Sequence, residues 1–599
     1  YGFCNHDGGS CSIGLLASGE IIYFISSNII IYSRKLHQQR HYREHTNNVH
    51  CLAVHSDGIL VASGQCASSS GQKNKAHVRV WRADTLHTLH VLGDTGVWSQ
   101  SVDSLSFMPA HNILVAAGDC PDTMLTVWDT SSGAMQAHTT VSTKRLCDLQ
   151  FNPWISESMV TCGTEHLVWW AVSKDTGEIQ VASQPNYDIY LKGHVYTCLC
   201  HSQRGDVVTG DYNGNIYIWG KKGASILHII KHGHQGPVTD LALLHNHLLS
   251  CGQDGAINCW NMGKTVDKES LLQLPRSEGG VRCLLLLSGV KGCVLVAGTS
   301  TNSLIHVTLN HNKSPLEDVA LENVPITQGH TEDLRAIQAI PESFLRADVI
   351  SASTDGLICK LDSTRREAVW KLWMKSYPFI CLDTSPEGDQ IFLGTQDGKL
   401  VILRVIKEDM TVVEIFNEKI SNSAVRHVSL SPDGNLLGAA ATNAVVYMYS
   451  CLRKNGADGT EIWTLAGKGK GKGEEEGLIQ CNILPYKNGS SDIRSQHSGR
   501  TNDIDCIEWS TAGPEDVRLM TTSCWLRSSQ IGPDQVTCMA VSPGKDLVAI
   551  ATNDGQLRVG PGTPIKSHLN TCSLCFTTDG RSLLTVGGTD VCIMQWKII

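Results

Sequence analysis

A short hydrophobic pattern recurs along nearly all of this 599-residue chain, at intervals of roughly 45 residues. In each copy an alternating apolar run is followed by a polar turn and then by a second apolar run that often closes with Trp. The first clear copy spans residues 49–81. Each copy predicts roughly three or four short β-strands, which bury too little surface to be stable alone. The copies must therefore pack side by side.

One apolar residue marks the same position in every copy, and its matches are Leu52, Leu105, Leu149, Leu199, Leu241, Leu284, Ile337, Leu382, Val428, Ile507, Met539 and Leu574. Turn signals such as Asp254-Gly255 precede the closing strand, because Asp and Gly tolerate the backbone of a tight hairpin. Trp128-Asp129 matches the WD dipeptide that closes a blade, and Gly233-His234 opens a copy. The pattern predicts an all-β fold built from WD40-type β-propeller blades.

The repeat is weakest between Val428 and Ile507, where the interval is too long for one copy. This gap predicts a degraded copy around residues 479–483. About twelve or thirteen blades exceed one ring, because propellers typically have 4–8 blades. We therefore expect two tandem propellers, the first in residues 37–318 and a second, atypical one in residues 319–599.

The first 33 residues do not follow this pattern. They hold two almost wholly apolar runs, residues 20–25 and 28–32, separated by a polar turn at Ser26 and Ser27. Such runs predict a hairpin that is buried on both faces. We treat residues 1–36 as a separate motif and expect the hairpin to pack at a ring edge or between the rings.

The same segment resembles a known family. Residues 1–3, 19–25 and 39–46 are similar to the HELP motif and first WD repeat of the echinoderm microtubule-associated protein-like family. Further similar stretches follow in order through the chain, at residues 77–81, 124–129, 205–211 and 586–596.

The resemblance implies two atypical tandem propellers with the HELP hairpin at their interface. It assigns the structural positions of the HELP motif to Tyr1, Gly2, Gly19, Glu20, Tyr23 and Phe24. Residues 4–6 depart from the more basic family pattern, and residues 453–510 match it poorly. The coiled coil of the family is not part of this sequence, so we expect a monomer.

The composition argues against some classes of function. Charged residues make up 18% of the chain and the formal net charge is -9, which argues against a nucleic-acid surface and against attraction to anionic membranes. The 23 cysteines are scattered through the predicted strands, as expected for reduced, buried side chains. The sequence shows neither a secretory signal nor an apolar run of membrane-spanning length. We expect a cytoplasmic protein associated with the cytoskeleton.

Residues 467–476 form a run of alternating Gly and Lys that ends in three Glu. It is not a phosphate-binding loop, because no Lys in it is followed by Ser or Thr. One interpretation is a flexible, solvated loop between strands. The other is a partner-binding loop, in which three lysines meet the acidic C-terminal tails of tubulin: Lys468, Lys470 and Lys472.

No arrangement of residues predicts a metal site, a cofactor or catalysis. His232 and His234, and His245 and His247, are better explained as blade openings and turns than as zinc ligands. No G-x-S-x-G elbow is present. The Asp residues at one repeated blade position are a fold signature, since catalysis would need one special copy.

The resemblance implies a cytoskeletal scaffold without catalysis, which binds tubulin or microtubule-associated partners through propeller faces and loops. An acidic chain is expected to prefer unpolymerised tubulin to the acidic microtubule surface. The alternative function is a general WD-repeat adaptor, such as a substrate receptor of a ubiquitin ligase or a signalling scaffold.

Overall fold

The computed structural model describes residues 13–598 except for residues 68–74, 121, 142–144, 224, 264–265, 290–291, 310–314, 317–320, 324–329, 331, 341–348, 365–366, 375, 407–410, 432–433, 444, 454–460, 471–480, 483–509, 512–535, 545–546, 553–554, 561–564, 569–570 and 589–591. Contacts divide the chain into two compact units, residues 2–329 and residues 330–599. The predicted bounds of the three domains stay predictions.

In its described residues, the first unit contains seven antiparallel sheets, each made of four consecutive strands. Their strands in chain order are β1 (Ile13–Leu15), β2 (Ile21–Ile25), β3 (Asn28–Ser33), β4 (Gln38–Tyr42), β5 (Val49–Val54), β6 (Leu60–Gln65), β7 (His77–Arg82), β8 (Thr88–Leu92), β9 (Val102–Phe107), β10 (Ile113–Cys120), β11 (Asp122–Asp129), β12 (Met135–Thr140), β13 (Leu146–Asn152), β14 (Ile155–Gly163), β15 (His166–Val172), β16 (Ile179–Ser183), β17 (Tyr196–His201), β18 (Val207–Asp211), β19 (Ile216–Trp219), β20 (Ile226–Ile230), β21 (Val238–Leu244), β22 (His247–Gly252), β23 (Ala256–Met262), β24 (Val266–Gln273), β25 (Val281–Gly289), β26 (Gly292–Thr299), β27 (Leu304–Thr308) and β28 (Leu321–Asn323). A π-helical turn (Tyr187–Leu191) and a 3-10 turn (Arg276–Glu278) lie between sheets.

The second unit contains six sheets in its described residues: three of four strands, one of two, one of four and one of three. Their strands are β29 (Leu334–Ala339), β30 (Val349–Ser353), β31 (Leu357–Asp362), β32 (Glu367–Trp373), β33 (Phe379–Thr384), β34 (Gln390–Thr395), β35 (Lys399–Val405), β36 (Val412–Lys419), β37 (Val425–Leu430), β38 (Leu436–Ala441), β39 (Val445–Arg453), β40 (Glu461–Lys470), β41 (Cys481–Asn482), β42 (Ser510–Thr511), β43 (Val536–Val541), β44 (Val548–Thr552), β45 (Gln556–Val559), β46 (Ile565–Lys566), β47 (Thr571–Phe576), β48 (Ser582–Gly587) and β49 (Ile593–Lys597).

The sheets of the first unit form a closed ring. The first strand of each sheet packs against the first strand of the next, from β1 and β5 through to β21 and β25, and β25 packs against β1. In the second unit β47 packs against both β43 and β29, so its last sheet lies next to its first. The prediction of tandem WD-type propellers is confirmed.

The hydrophobic core lies between neighbouring sheets. One cluster joins Val208 and Ile216 of the fifth sheet to Leu248 and Trp260 of the sixth. Because each sheet buries both faces in this way, a single sheet could not be stable alone. Among the described residues, the helical segments are short turns, and none has the length and apolar character to cross a bilayer.

The apolar N-terminal hairpin belongs to a complete blade of the first unit. Its runs form β2 and β3, and β1 and β4 pair on either side of them. The expectation that the first 33 residues fall outside the blade pattern is therefore wrong. Both faces are buried as predicted, since Ile22 and Ile29 pack with Leu52 and Trp81 of the second sheet. The position of this hairpin at an interface between propellers stays a prediction.

A strand occurs within residues 479–483, where the sequence predicts a degraded copy, but this strand and a later segment form a single sheet. β41, within residues 479–483, pairs with β42, so the two segments belong to one sheet. Ile507, taken as the marker of a separate copy, lies outside the described residues. The described residues form thirteen sheets, within the predicted twelve or thirteen, because the N-terminal segment supplies a sheet that the repeat count omitted.

Candidate interaction site

The HELP residues that the structure describes shape the first sheet. Tyr1 and Gly2 lie outside the described residues. Gly19 has a φ of 77° in the turn before β2, a conformation that favours glycine. Tyr23 and Phe24 are buried, and the Tyr23 hydroxyl accepts a hydrogen bond from Gln39 Nε2 at 3.2 Å.

Glu20 is the charged member of this set. Its Oε2 lies 2.7 Å from Arg40 Nη2, and it accepts a hydrogen bond from the Ser18 hydroxyl at 2.7 Å. Burial opposes ionisation of Glu20, but the hydrogen bonds from Arg40 and Ser18 outweigh it and lower its pKa. These contacts fix the turn and sheet, and they support a structural role for the motif.

The Gly-Lys run begins inside a strand, which corrects the expectation of a loop. Lys468 and Lys470 belong to β40 and lie opposite Tyr447 and Val445 of β39. The alternation of Gly and Lys has the two-residue period of a strand. The Lys468 side chain is exposed, and Lys472 lies outside the described residues.

A bulge recurs near the start of the first strands and was not predicted. In six sheets of the first unit and five of the second, one extra residue stands between two residues that pair with adjacent partners. We call these the bulge residues: His50, Asp103, Cys147, Thr197, Thr239, Arg282, Arg335, Ile380, Arg426, Thr537 and Cys572. All are exposed or half-buried, whereas the residue before each is buried wherever its side chain is described. A bulge re-aims a side chain in this way.

Several bulge residues connect neighbouring first strands. The Thr239 hydroxyl donates to the Val281 carbonyl at 2.6 Å, and the Thr197 hydroxyl donates to the Val238 carbonyl. His50 Nδ1 lies 3.9 Å from Asp103 Oδ1. These contacts link neighbouring inner strands of the first unit near one end.

The sequence did carry a signal for the bulge residues. Each stands two positions before the aligned apolar residue of its copy, as His50 does before Leu52 and Thr239 before Leu241. The residue type at this position changes from copy to copy, whereas the residue before it is apolar in every copy except the last, where it is Thr571. A register shift cannot be read from alternation alone, so the position was not singled out.

Buried carboxylates provide a second link between sheets. Asp148 accepts from the Leu199 N–H at 3.1 Å, Asp240 from the Leu284 N–H at 2.7 Å and Asp383 from the Leu430 N–H at 2.7 Å, each in the next sheet. Burial raises the pKa of Asp148 to about 7 and those of Asp240 and Asp383 to about 6. These hydrogen bonds link neighbouring sheets, with Asp148 buried and Asp240 and Asp383 half-buried.

The histidine pairs have structural contacts. His234 is buried between the Ser250 hydroxyl, 2.8 Å from its Nε2, and Asp254 Oδ1, 3.1 Å from its Nδ1. His232 and His245 have positive φ, and His247 Nε2 lies 2.9 Å from Glu269 Oε2. Within the part of the chain that the structure describes, no group of three or more His, Cys, Asp or Glu could hold a metal ion.

An exposed aromatic patch lies on the end of the fourth and fifth sheets where their first strands begin. We define it as Tyr187, Ile189 and Tyr212, which are 50%, 62% and 60% exposed. The Glu165 carboxylate holds the first part, because it accepts from the Tyr187 hydroxyl at 3.1 Å and from the Gly193 N–H at 2.9 Å.

Hydrogen bonds and buried side chains also hold the backbone around Tyr212 and beneath Ile189 in place. The Tyr212 N–H donates to the Val195 carbonyl at 2.9 Å, which joins the turn of Tyr212 to the residue just before β17. Below the surface Leu191 is buried and Tyr190 packs edge-on against Trp219. Exposed Tyr side chains on a rigid support are typical of the residues that dominate protein–protein binding energy.

Comparisons with known proteins agree with this architecture. A family model described as the echinoderm microtubule-associated protein first beta-propeller matches residues 38–307. Echinoderm microtubule-associated protein-like 2 of Rattus norvegicus is 28% identical over 100% of this chain and 91% of its own length. Echinoderm microtubule-associated protein-like 1 of Mus musculus is 27% identical over 98% of this chain and 71% of its own length.

A more distant animal gives the same result. The 77 kDa echinoderm microtubule-associated protein of Strongylocentrotus purpuratus is 26% identical, and the match covers 100% of this chain and 86% of that protein. The similarity therefore extends over both units.

Proposed function

Because the chain belongs to the echinoderm microtubule-associated protein-like family, we propose that it is a cytoskeletal scaffold that binds unpolymerised tubulin or other microtubule-associated proteins. The observation that carries this proposal is the similarity over the whole chain to proteins named for microtubule association. Binding is its role, without catalysis or a cofactor, and its partners are proteins rather than nucleic acid or membranes. Its place is the cytoskeleton of the cytoplasm.

The aromatic patch is the surface we assign to partner binding in the first unit. Its side chains are exposed while their backbone is fixed, so little conformational entropy is lost when a partner binds. The charged residues near it are Glu165, Asp188 and Lys192, so both signs are present. Such a surface suits the mixed apolar and polar face of a folded protein better than a highly charged tail.

The net charge of the chain affects whether it binds unpolymerised tubulin or the microtubule. The chain has a formal net charge of -9, so electrostatic attraction does not favour the acidic surface of a microtubule. Contacts through aromatic side chains are independent of this repulsion. Binding to the lattice then needs a basic segment elsewhere or several linked units.

Co-sedimentation tests the proposal. The chain is mixed with stabilised microtubules at physiological salt, and the pellet is compared with a matched sample of unpolymerised tubulin separated by gel filtration. We expect co-elution with unpolymerised tubulin and little pelleting. Robust pelleting would refute the preference for unpolymerised tubulin. Recovery of ubiquitin-ligase subunits without tubulin in a pull-down would favour the adaptor function instead.

A pair of variants tests the surface. Tyr187→Ala combined with Tyr212→Ala should weaken tubulin binding by roughly tenfold or more, as expected when anchoring aromatic residues are truncated. The matched control is Trp154→Ala, since Trp154 is 59% exposed but lies in the turn between β13 and β14, at the opposite end of the sheet. Equal effects of the patch variant and the control would contradict the assignment.

A further inference from the structure

The Tyr187 ring of the aromatic patch is exposed, while a carboxylate holds its hydroxyl in place. Tyr187 is 50% exposed, and its hydroxyl donates to Glu165 Oε2 at 3.1 Å. Glu165 is fixed in turn, because its Oε1 accepts from the Gly193 N–H at 2.9 Å and its own N–H donates to the His194 carbonyl at 2.8 Å. A carboxylate therefore lies at a fixed point beside the edge of an exposed aromatic ring.

The hydrogen bond between the two side chains makes the ring more attractive to a cation. The face of an aromatic ring is negative and attracts cations. The hydrogen bond to Glu165, followed by the charge of Glu165, raises the pKa of the Tyr187 hydroxyl. The hydroxyl therefore keeps its proton, and the carboxylate keeps its charge. Hydrogen-bonded groups polarise one another, so a carboxylate acceptor increases the electron density of the phenol ring.

The second unit contains a pair of the same kind with a cation in place. The Tyr377 hydroxyl donates to Glu414 Oε2 at 3.1 Å. Lys399 Nζ lies over the Tyr377 ring, 5.2 Å from its centroid, and Asp397 Oδ2 lies 3.3 Å from the same Nζ. A cation within about 6 Å of a ring centroid is attracted by the ring. The chain itself thus shows that such a Tyr–Glu pair accommodates an ammonium group over the ring.

The corresponding place over the Tyr187 ring has no cation from the described part of the chain. Among the residues that the structure describes, no lysine or arginine lies over this ring. Lys192 and Arg145 are exposed cations of neighbouring loops. The charges that act on the Tyr187 hydroxyl are instead those of Glu165 and of the exposed Asp188. The pair in the first unit therefore offers to a partner the place that Lys399 fills in the second.

We propose that the aromatic patch binds a lysine or arginine side chain of the partner, with the cation over the Tyr187 ring and Glu165 as its counter-charge. The inference rests on the proposed function, since it names the group of the partner that the patch recognises. Ile189 and Tyr212 are 62% and 60% exposed and offer apolar surface to the alkyl part of that side chain. One basic side chain on a folded surface is sufficient, so an acidic partner also fits.

Titration with blocked amino acids tests the cation site without tubulin. The full chain is labelled with fluorotyrosine, and its fluorine NMR resonances are assigned with Tyr187→Phe and Tyr377→Phe. The probes are N-acetyl-arginine amide and N-acetyl-lysine amide at millimolar concentration, and N-acetyl-citrulline amide is the neutral control of similar shape. We expect the Tyr187 resonance to shift saturably with the two cations only, and the Tyr377 resonance to shift less because Lys399 already lies over its ring. No shift at Tyr187, or an equal shift with the citrulline amide, would overturn the proposal.

Variants of the patch connect the cation site to tubulin binding. Tyr187→Phe keeps the ring, whereas Tyr187→Leu keeps only an apolar side chain. The Leu variant should therefore bind unpolymerised tubulin roughly 2–5-fold more weakly than the Phe variant. Glu165→Gln should weaken binding by up to about fivefold, whereas the matched change Glu414→Gln in the second unit should leave it unchanged.

The outcomes separate this inference from the proposed function. Equal tubulin binding by the Leu and Phe variants would overturn the cation site and leave the proposed function intact. If the unmodified chain does not bind tubulin, the proposed function fails, and the titration with blocked amino acids still decides for or against the cation site.

Discussion

The two units fill one repeated position differently. This closing position lies in the third strand of a sheet. In five of the seven described sheets of the first unit it holds Trp81, Trp128, Trp170, Trp219 and Trp260, while the first and seventh sheets have Tyr32 and Val307 there. Each of these indoles donates to a Ser or Thr hydroxyl at 2.8–3.1 Å. In the second unit the position holds Leu361, Leu403 and Tyr449, and a Trp returns in the last sheet as Trp596.

The difference shows that the blade can be built in two ways. A buried indole needs an acceptor for its N–H, so Trp at the closing position comes with a hydroxyl partner. A Leu fills the same space without that requirement, and Leu361 and Leu403 are buried. Packing between sheets requires a large apolar side chain at this position. The hydrogen bond from an indole N–H to a hydroxyl is needed only where that side chain is Trp.

The largest expected effect is that of Trp219→Ala in the first unit. Trp219 is buried among Tyr190, Tyr196 and Tyr217, so its loss leaves a cavity and an unpaired Thr209 hydroxyl. We expect local stability in the fifth sheet to fall by about 3–5 kcal/mol. Peptide-resolved amide hydrogen exchange measures it, because it reports each unit separately.

The matched change in the second unit is Leu361→Ala. It removes volume without leaving a polar group unpaired, so its cost should be smaller by at least ~1 kcal/mol. Equal losses of stability in the Trp219→Ala and Leu361→Ala variants would contradict the idea that only a Trp at the closing position needs a hydroxyl partner.

A smaller effect should separate Ser250→Ala from Ser351→Ala. Ser250 accepts from the Trp260 indole at 2.9 Å and contacts His234, so its loss leaves a buried N–H unsatisfied and costs about 1–3 kcal/mol. Ser351 contacts His330 at 2.8 Å in a sheet whose closing residue is Leu361, and its loss should cost about 0.5–1.5 kcal/mol. Hydrogen exchange of the two sheets in parallel gives both values, and a reversed order would argue against the comparison.

The buried carboxylates should behave alike in the two units. Burial raises the pKa of Asp240 and of Asp383 to about 6, above the value of about 3.9 in an unfolded chain. The folded state therefore binds more protons between these values, and the contribution of each Asp to stability increases as pH falls through about 6.

The unmodified chain should therefore be more stable than the Asp383→Asn variant, and this difference in the free energy of unfolding should grow as pH falls from 7.5 to about 5. Asp240→Asn should give the same trend in the first unit. Hydrogen exchange at matched pH intervals, corrected for the intrinsic exchange rate, provides the measurement. A constant difference across this range would show that burial does not raise these pKa values.

The smallest expected effect is that of Lys468→Ala. Lys468 is exposed on β40, and substitution of an exposed residue usually changes stability by no more than about 0.5 kcal/mol. If lysines of this strand help to bind an acidic tail, tubulin binding should weaken by only a few-fold and the loss should shrink at high salt. Unchanged tubulin binding at low salt would show that Lys468 does not take part in partner binding.

The repeat and its phase could be predicted because alternation and Asp-Gly turns are local signals. The N-terminal blade could not, since β4 reads Gln-Gln-Arg-His-Tyr and lacks the apolar alternation of the other strands. It belongs to the ring through its partners, Arg40 opposite Ile31 and Tyr42 opposite Ile29, which only the register reveals.

The aromatic patch and the bulge residues depend on tertiary placement in the same way. Tyr187 and Tyr212 belong to different loops, and Glu165 and Val195 bring those loops together. Sheet stacking likewise brings Asp103 Oδ1 to 3.9 Å from His50 Nδ1. Sequence patterns identify the strands that carry such residues, but contacts between sheets decide which side chains meet.

Titration of the fluorescently labelled chain with unpolymerised tubulin tests the central claim most directly. We predict saturable binding that persists at physiological salt and is weakened by the combined Tyr187→Ala and Tyr212→Ala changes but not by Trp154→Ala. Absence of saturable binding, or binding that disappears as salt is raised to the physiological range, would contradict it.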